Sequence, residues 1–130
     1  MTSRAASRVA VVDDDARVLE SMAELLEAAG YAVDTYPSPR SLLASGLLQD
    51  LDCLITDIGM PEMDGFELCR QMRALRPDLP VIFVTARHDV ADQQRADAQG
   101  HCGLFRKPFH APALLAAVGR ALKDLEPRGH

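Results

Sequence analysis

The residues of this chain best suited to chemistry are a few carboxylates, one threonine and one lysine, each closing a short apolar run. Asp57 ends Leu54-Ile55-Thr56, and a loop carrying Gly59, Pro61 and Asp64-Gly65 follows. A carboxylate at the end of a buried strand is costly unless something there uses its charge. Asp13, Asp14 and Asp15 follow Val9-Ala10-Val11-Val12, Thr85 follows Val81-Ile82-Phe83-Val84, and Lys107 follows the run from Cys102 to Arg106. Crowded carboxylates repel one another and raise at least one pKa unless a cation is present. An all-oxygen acidic site suits a hard cation such as Mg²⁺, which keeps waters and shares a substrate phosphate. Asp57 then becomes a nucleophile toward a phosphoryl group, whose oxygens are met by the metal, the Lys107 ammonium and the Thr85 hydroxyl. Ala86 is small enough to leave a phosphodonor its approach route.

For these residues to meet, the runs that bear them must be parallel strands ending on one edge of a sheet. The intervening segments supply the crossovers. Val18, Leu19, Met22, Leu25, Leu26 and Ala29 recur at helical spacing, and Gly30 stops that helix. Tyr31 to Tyr36 alternates as a strand, Pro37-Ser38-Pro39 breaks it, and Ser38 or Ser41 caps a helix carrying Leu42, Leu43, Leu47 and Leu48. Leu68, Met72 and Leu75 mark a third helix, ended by Arg76-Pro77. Asp89 to Gln99 is polar, with Val90 its one large aliphatic, and predicts a loosely held helix stopped by Gly100. The last helix buries Leu114, Leu115, Val118, Leu122 and Leu125. Five alternations of strand and helix predict an α/β fold, a doubly wound five-stranded parallel sheet with five helices. Ligands of such folds bind at the carboxyl ends of the strands, beside the switch in strand order. Asp13 and Asp14, Asp57, Thr85 and Lys107 should therefore converge in one pocket.

Length and composition are those of one ordinary globular domain: 130 residues, 48% hydrophobic, 25% charged. The division is a flexible arm (1–7), the domain (8–125) and a tail (126–130). The apolar runs are strand-sized and no signal-peptide h-region follows Met1, which predicts a cytoplasmic protein with no membrane contact. A formal charge of −5 argues against direct nucleic-acid binding. Cys53, Cys69 and Cys102 read as reduced core cysteines. His88, His101, His110 and His130 lack the mutual spacing of metal ligands.

Val12-Asp13-Asp14, the Asp57–Gly65 segment ending in M-P-x-M-D-G, Val84-Thr85-Ala86 and Lys107-Pro108-Phe109 together resemble the response-regulator receiver domain, over about residues 8–125. The resemblance implies a flavodoxin-like sheet of order 2-1-3-4-5. It implies phosphorylation of Asp57 by a sensor histidine kinase, a phosphotransfer protein or a small phosphodonor. Mg²⁺ would be bound by Asp14 and Asp57 directly, by Asp13 through water, and by the Gly59 backbone carbonyl. Thr85, Ala86 and Lys107 would bind the phosphoryl group and start the switch, the bond before Pro108 would be cis, and a phosphorylation-dependent homodimer is a further family expectation. The chain would catalyse only its own phosphotransfer and dephosphorylation. Asp15 has no family role and reads as an acid at a helix N-terminus.

Two positions depart from the family pattern. Receivers usually carry an aromatic switch residue three before the lysine; here Leu104 stands there, with Phe105 beside it. Either a smaller apolar rearrangement does the switching or Phe105 marks a shift in register, and the ungapped spacing from Gly100 to Lys107 favours the first. Gly59 replaces a side chain that often shields the phosphoryl group, which predicts a short-lived phosphorylated state. Two other functions compete. A Mg²⁺-dependent aspartyl phosphohydrolase needs a second acid two residues past the nucleophile, where Gly59 stands. The acidic pocket speaks against a receiver-like interaction module that is never phosphorylated, while Leu104 keeps that alternative open.

Overall fold

In a computed structural model the described residues are 6–86, 90–101 and 103–125, with side chains to 122. Most of the expected arm, the whole expected tail, His88, Cys102, His130 and the Leu125 side chain lie outside them. The strands are β1 (Arg8–Val12), β2 (Ala32–Tyr36), β3 (Cys53–Asp57), β4 (Val81–Thr85) and β5 (Gly103–Arg106). Helices α1 (Ala16–Ala28), α2 (Pro39–Ala44), α3 (Gly65–Leu75), α4 (Val90–Gln99) and α5 (Ala111–Leu125) alternate with them. All pairings are parallel and the order is β2-β1-β3-β4-β5, so the expected doubly wound sheet is present. The direction of winding reverses at β1, and β1 and β3 lie side by side there.

The strands are apolar on both faces because helices cover both. Val9, Val11, Cys53, Ile55, Ile82 and Val84 pack against α1 and α5. Ala10, Val12, Leu54 and Phe83 face the other way, toward α2, α3 and α4. This alternation is the period of two of a strand, doubled because each face has a helical layer. No helix among the described residues is long and apolar enough to cross a membrane.

Two local expectations are corrected. The helix begun at Ser38 stops at Ala44, so Leu47 and Leu48 are not on it. The Ser45 hydroxyl donates to the Leu42 carbonyl (2.7 Å) and accepts from the Leu47 N–H (3.2 Å), while Gly46 turns left-handed at φ 76°. A side chain bonding the local backbone in this way competes with the next helical turn. Its start is a reciprocal capping box that uses both candidate serines, Ser38 and Ser41. Leu75, read as core, is 55% exposed because α3 ends on it. Val90 is 72% exposed, and Ala96 is the buried residue of α4. What holds the end of α4 is Arg73 of α3, whose guanidinium donates to the carbonyls of Gln99, Gly100 (2.8 Å) and Leu79 (3.1 Å).

The start of α3 lies directly against the end of β3. The Gly65 N–H donates to the Ile58 carbonyl at 2.9 Å, and a Cβ on Gly65 would fall 2.3 Å from the Asp57 carbonyl oxygen. Only glycine allows that approach. Gly65→Ala is therefore predicted to destabilise the fold by on the order of 1–3 kcal/mol. Gly59→Ala, whose Cβ meets nothing within 4 Å, should change stability by less than about 1 kcal/mol. Urea unfolding of both variants checks this; equal losses would contradict it.

Candidate functional site

Asp13 is placed by the backbone just past β1. Its N–H donates to the Tyr36 carbonyl (3.1 Å), which carries the β1–β2 ladder one residue further. Its Oδ1 accepts from the Asp15 N–H (2.9 Å), and Asp15 in turn caps α1 by accepting from the Arg17 N–H (2.9 Å). Asp15 is thus the N-terminal acid its position suggested. Asp13 is fully buried and Asp14 exposed. Asp57 is the last residue of β3 and only 5% exposed. Lys107 follows β5, where its N–H donates to the Thr85 carbonyl (2.7 Å) and keeps the two chains paired to the sheet edge. The Lys107–Pro108 peptide is cis.

From these anchors the side chains converge. Lys107 Nζ lies 2.6 Å from Asp13 Oδ2 and 3.5 Å from Asp57 Oδ1. One carboxylate oxygen from each of Asp13, Asp14 and Asp57 lies within 4.8 Å of the other two. Asp57, Gly59, Thr85 and Ala86 line a common cavity of about 510 Å³ that also reaches α4. The structure therefore brings together every strand-end residue that the sequence singled out.

Burial, and then the neighbouring Asp13 charge, push the Asp57 carboxyl up to about 6; Lys107 and its hydrogen bond pull the other way. Burial by itself would lower the Lys107 ammonium, but the hydrogen bond and charge of Asp13, followed by Asp57, more than offset it and leave its pKa raised. Three carboxylates against one ammonium leave an excess of negative charge in a poorly solvated place. The donor set is all oxygen, and its imbalance is of the kind a hard divalent cation relieves. The residues present fit Mg²⁺.

The two switch candidates separate cleanly. Leu104 pairs in register with Phe83 and packs on the α2–α4 side, whereas Phe105 pairs with Val84 and packs on the α1–α5 side. A one-residue slip would exchange those faces, and no slip is present. Among the histidines, His101 is partly packed, 2.8 Å from Asp97 and tilted against Phe83.

Besides Ile58, three polar residues reach the cavity that the sequence reading did not single out for this site: Asp64, Asp92 and Arg95. Asp64 caps α3 by accepting from the Glu67 N–H (2.9 Å), a role visible in an Asp-Gly pair before a helix. Arg95 comes from α4, far along the chain, and its Nη2 lies 3.5 Å from Asp64 Oδ2. No local pattern announces that contact. Glu62, at the tip of the β3–α3 loop, takes a left-handed φ of 70°, a strain that composition also did not signal.

Comparison with known proteins places this geometry. The response regulator receiver domain pattern matches residues 9–119. The response regulator protein TodT of Pseudomonas putida is 35% identical over 118 residues, 91% of this chain and 52% of that protein. The transcriptional regulatory protein FixJ of Azorhizobium caulinodans is 38% identical over 88% of this chain and 54% of its own length. The chain thus spans about half the length of these relatives. Among solved structures, the chemotaxis protein CheY4 of Vibrio cholerae superposes with a TM-score of 0.83 at 31% identity, covering 91% of this chain and all of that one. A BeF3-activated DrrB receiver domain gives a TM-score of 0.83 at 29% identity, over 91% and 98% of the two chains.

The raised Asp57 pKa fixes the sign of a stability effect. The folded state holds the Asp57 proton more tightly than the unfolded chain, so this group's contribution to stability falls as pH rises from about 4 to about 6. Above that window the penalty is constant, on the order of 1–3 kcal/mol. Without divalent cations, Asp57→Asn is predicted to be more stable than the parent by that amount at pH 7. The gap should close below about pH 4. Urea unfolding across pH in chelator checks it, and parallel curves would contradict it.

Proposed function

The chain belongs to the response regulator receiver domain family, and from that membership we propose that it is a phosphorylation-controlled switch of a two-component signalling system, accepting a phosphoryl group on Asp57. The observation that carries this reading is the Asp13, Asp14 and Asp57 cluster with Lys107 set 2.6 Å from Asp13 and 3.5 Å from Asp57. Burying two of these acids, Asp13 and Asp57, costs stability, and a receiver puts that cost to use.

In this reading Asp14, Asp57 and the Gly59 carbonyl would hold Mg²⁺, with Asp13 acting through water, and the ion would supply charge neutralisation for the phosphoryl oxygens. The residues of the chain do the rest. A carboxyl titrating at about 6 is mostly ionised at neutral pH, so Asp57 is available as a nucleophile without a separate base. One Asp57 oxygen bonds to phosphorus, and the donor's leaving group departs with the electron pair. Lys107 leaves part of its pairing with Asp57 and follows the new negative charge. Thr85 stands on the cavity wall beside Ala86, where its hydroxyl donates to a phosphoryl oxygen. With Leu104 at the position three before Lys107, the resulting movement passes through an apolar contact on the α4 side rather than an aromatic one.

The immediate partner is a sensor histidine kinase or a phosphotransfer protein in the cytoplasm, and a homodimer formed on phosphorylation is a further expectation. Catalysis is limited to the chain's own phosphotransfer and dephosphorylation. The output is a change in the surface formed by α4, β5 and α5. α4 is suited to it because it buries one alanine and is otherwise held by the Arg73 contacts at its end and by Arg95 over Phe66.

Incubation with Mg²⁺ and an acyl phosphate should give one phosphoryl adduct by intact-mass spectrometry, absent from Asp57→Asn and absent in chelator. An adduct on the Asn variant would place the acceptor elsewhere. Because Gly59 leaves open space beside Asp57, Gly59→Gln should lengthen the lifetime of the adduct several-fold. A decay rate equal to the parent's would count against that role for the open space.

A further inference from the structure

The cavity at Asp57 extends from the cluster to α4. Asp13, Asp14 and Lys107 lie outside its lining; it passes Gly59, Thr85 and Ala86 and ends on α4. Its volume, about 510 Å³, exceeds what one phosphoryl group needs, and Gly59 puts no side chain into it. Arg95 is the one cation among the described residues of this wall, against Asp57, Asp64 and Asp92. Its guanidinium lies 4.2 Å over the Phe66 ring and its side chain is 56% exposed. The separation of Arg95 Nη2 from Asp64 Oδ2 is 3.5 Å, longer than a charge-assisted hydrogen bond, while the other oxygen, Oδ1, caps α3. Stacking thus holds the arginine in place while its pairing with Asp64 stays loose.

We propose that Arg95 selects the phosphodonor, by receiving the carboxylate released when an acyl phosphate transfers its phosphoryl group to Asp57. The proposal rests on Asp57 being the acceptor. In the transfer, an Asp57 oxygen forms a bond to phosphorus and the bond between phosphorus and the bridging oxygen breaks. The electron pair stays on that oxygen, which leaves as a carboxylate, and no proton is required. Arg95 lines the same cavity as Asp57 and is its one cation among the described residues, so a carboxylate leaving through that cavity meets Arg95. A guanidinium matches a carboxylate bidentately, and such a bond is stronger than one to a neutral group. A phosphoramidate donor behaves differently. Its nitrogen leaves protonated, as neutral ammonia, and offers the guanidinium no charge. Arg95 therefore distinguishes donors by the charge of the leaving group.

The test compares the parent chain with Arg95→Ala and Arg95→Lys at saturating Mg²⁺, using acetyl phosphate and phosphoramidate as donors and adduct formation by intact mass as the readout. Arg95→Ala should lower the second-order rate constant with acetyl phosphate about tenfold, the scale of one lost hydrogen bond to a charged group. The phosphoramidate rate should stay within about twofold of the parent's, and Arg95→Lys should fall between the two with acetyl phosphate. An equal fall with both donors would make Arg95 structural and overturn the proposal, as would no fall with either. If the parent takes no adduct from either donor, the acceptor reading of Asp57 itself fails, and this proposal with it.

Discussion

Lys107 sits 2.6 Å from a fully buried Asp13 and 3.5 Å from a nearly buried Asp57, and that shared ammonium lets two carboxylates occupy the edge of an apolar sheet. Removing one partner from such a group leaves a buried charge uncompensated, which typically costs about 3–5 kcal/mol. Several placements upstream serve it. The β1–β2 ladder extends one residue to fix Asp13, the Lys107 N–H extends the β4–β5 pairing, and the close approach of Gly65 sets the loop that follows Asp57. Burial first, and then the Asp13 charge, hold Asp57 above its ordinary pKa against the pull of Lys107, and the cluster keeps room for another positive charge.

Beside this cluster a firmly packed part of the molecule meets a loosely packed one. β3 and β4 are buried throughout and clamped between two helical layers. α4 has little apolar grip and is held by side chains: Arg73 at its end, and Arg95 over Phe66. Phe66 in turn lies 5.1 Å from Phe83, the residue paired with Leu104 on β5. A change in charge at Asp57 therefore borders on the element whose position is least fixed by the core. This is the arrangement a two-state surface needs.

The sheet was legible because its signal is local. Continuous apolar runs with polar ends, separated by helical periodicity, admit few other folds, and the chemical residues happened to be those polar ends. What sequence reasoning missed was set by other forces. Ser45 and Gly46 ended α2 early through side-chain and backbone bonding that outweighed the leucine spacing. Leu75 fitted the helical period and still came out exposed, because periodicity does not say where the last turn meets the core. Arg95 was invisible for another reason: an arginine in a polar helix has no mark that ties it to a loop some thirty residues earlier. Position 104 was readable as a departure, but the opposite facing of Leu104 and Phe105 needed the register of β5 against β4.

The central claim is that the Asp13, Asp14 and Asp57 cluster is a divalent-cation site whose electrostatic cost the cation removes. The most direct measurement is the unfolding midpoint of the parent chain and of Asp57→Asn at pH 7 across a Mg²⁺ titration. A ligand that binds only the folded state raises stability with the logarithm of its concentration once past its dissociation constant. The account predicts that rise in the parent and a flat or much shallower response in Asp57→Asn, so that the stability advantage of the Asn variant in chelator shrinks or reverses as Mg²⁺ increases. Equal responses in the two proteins, or none in the parent, would contradict it.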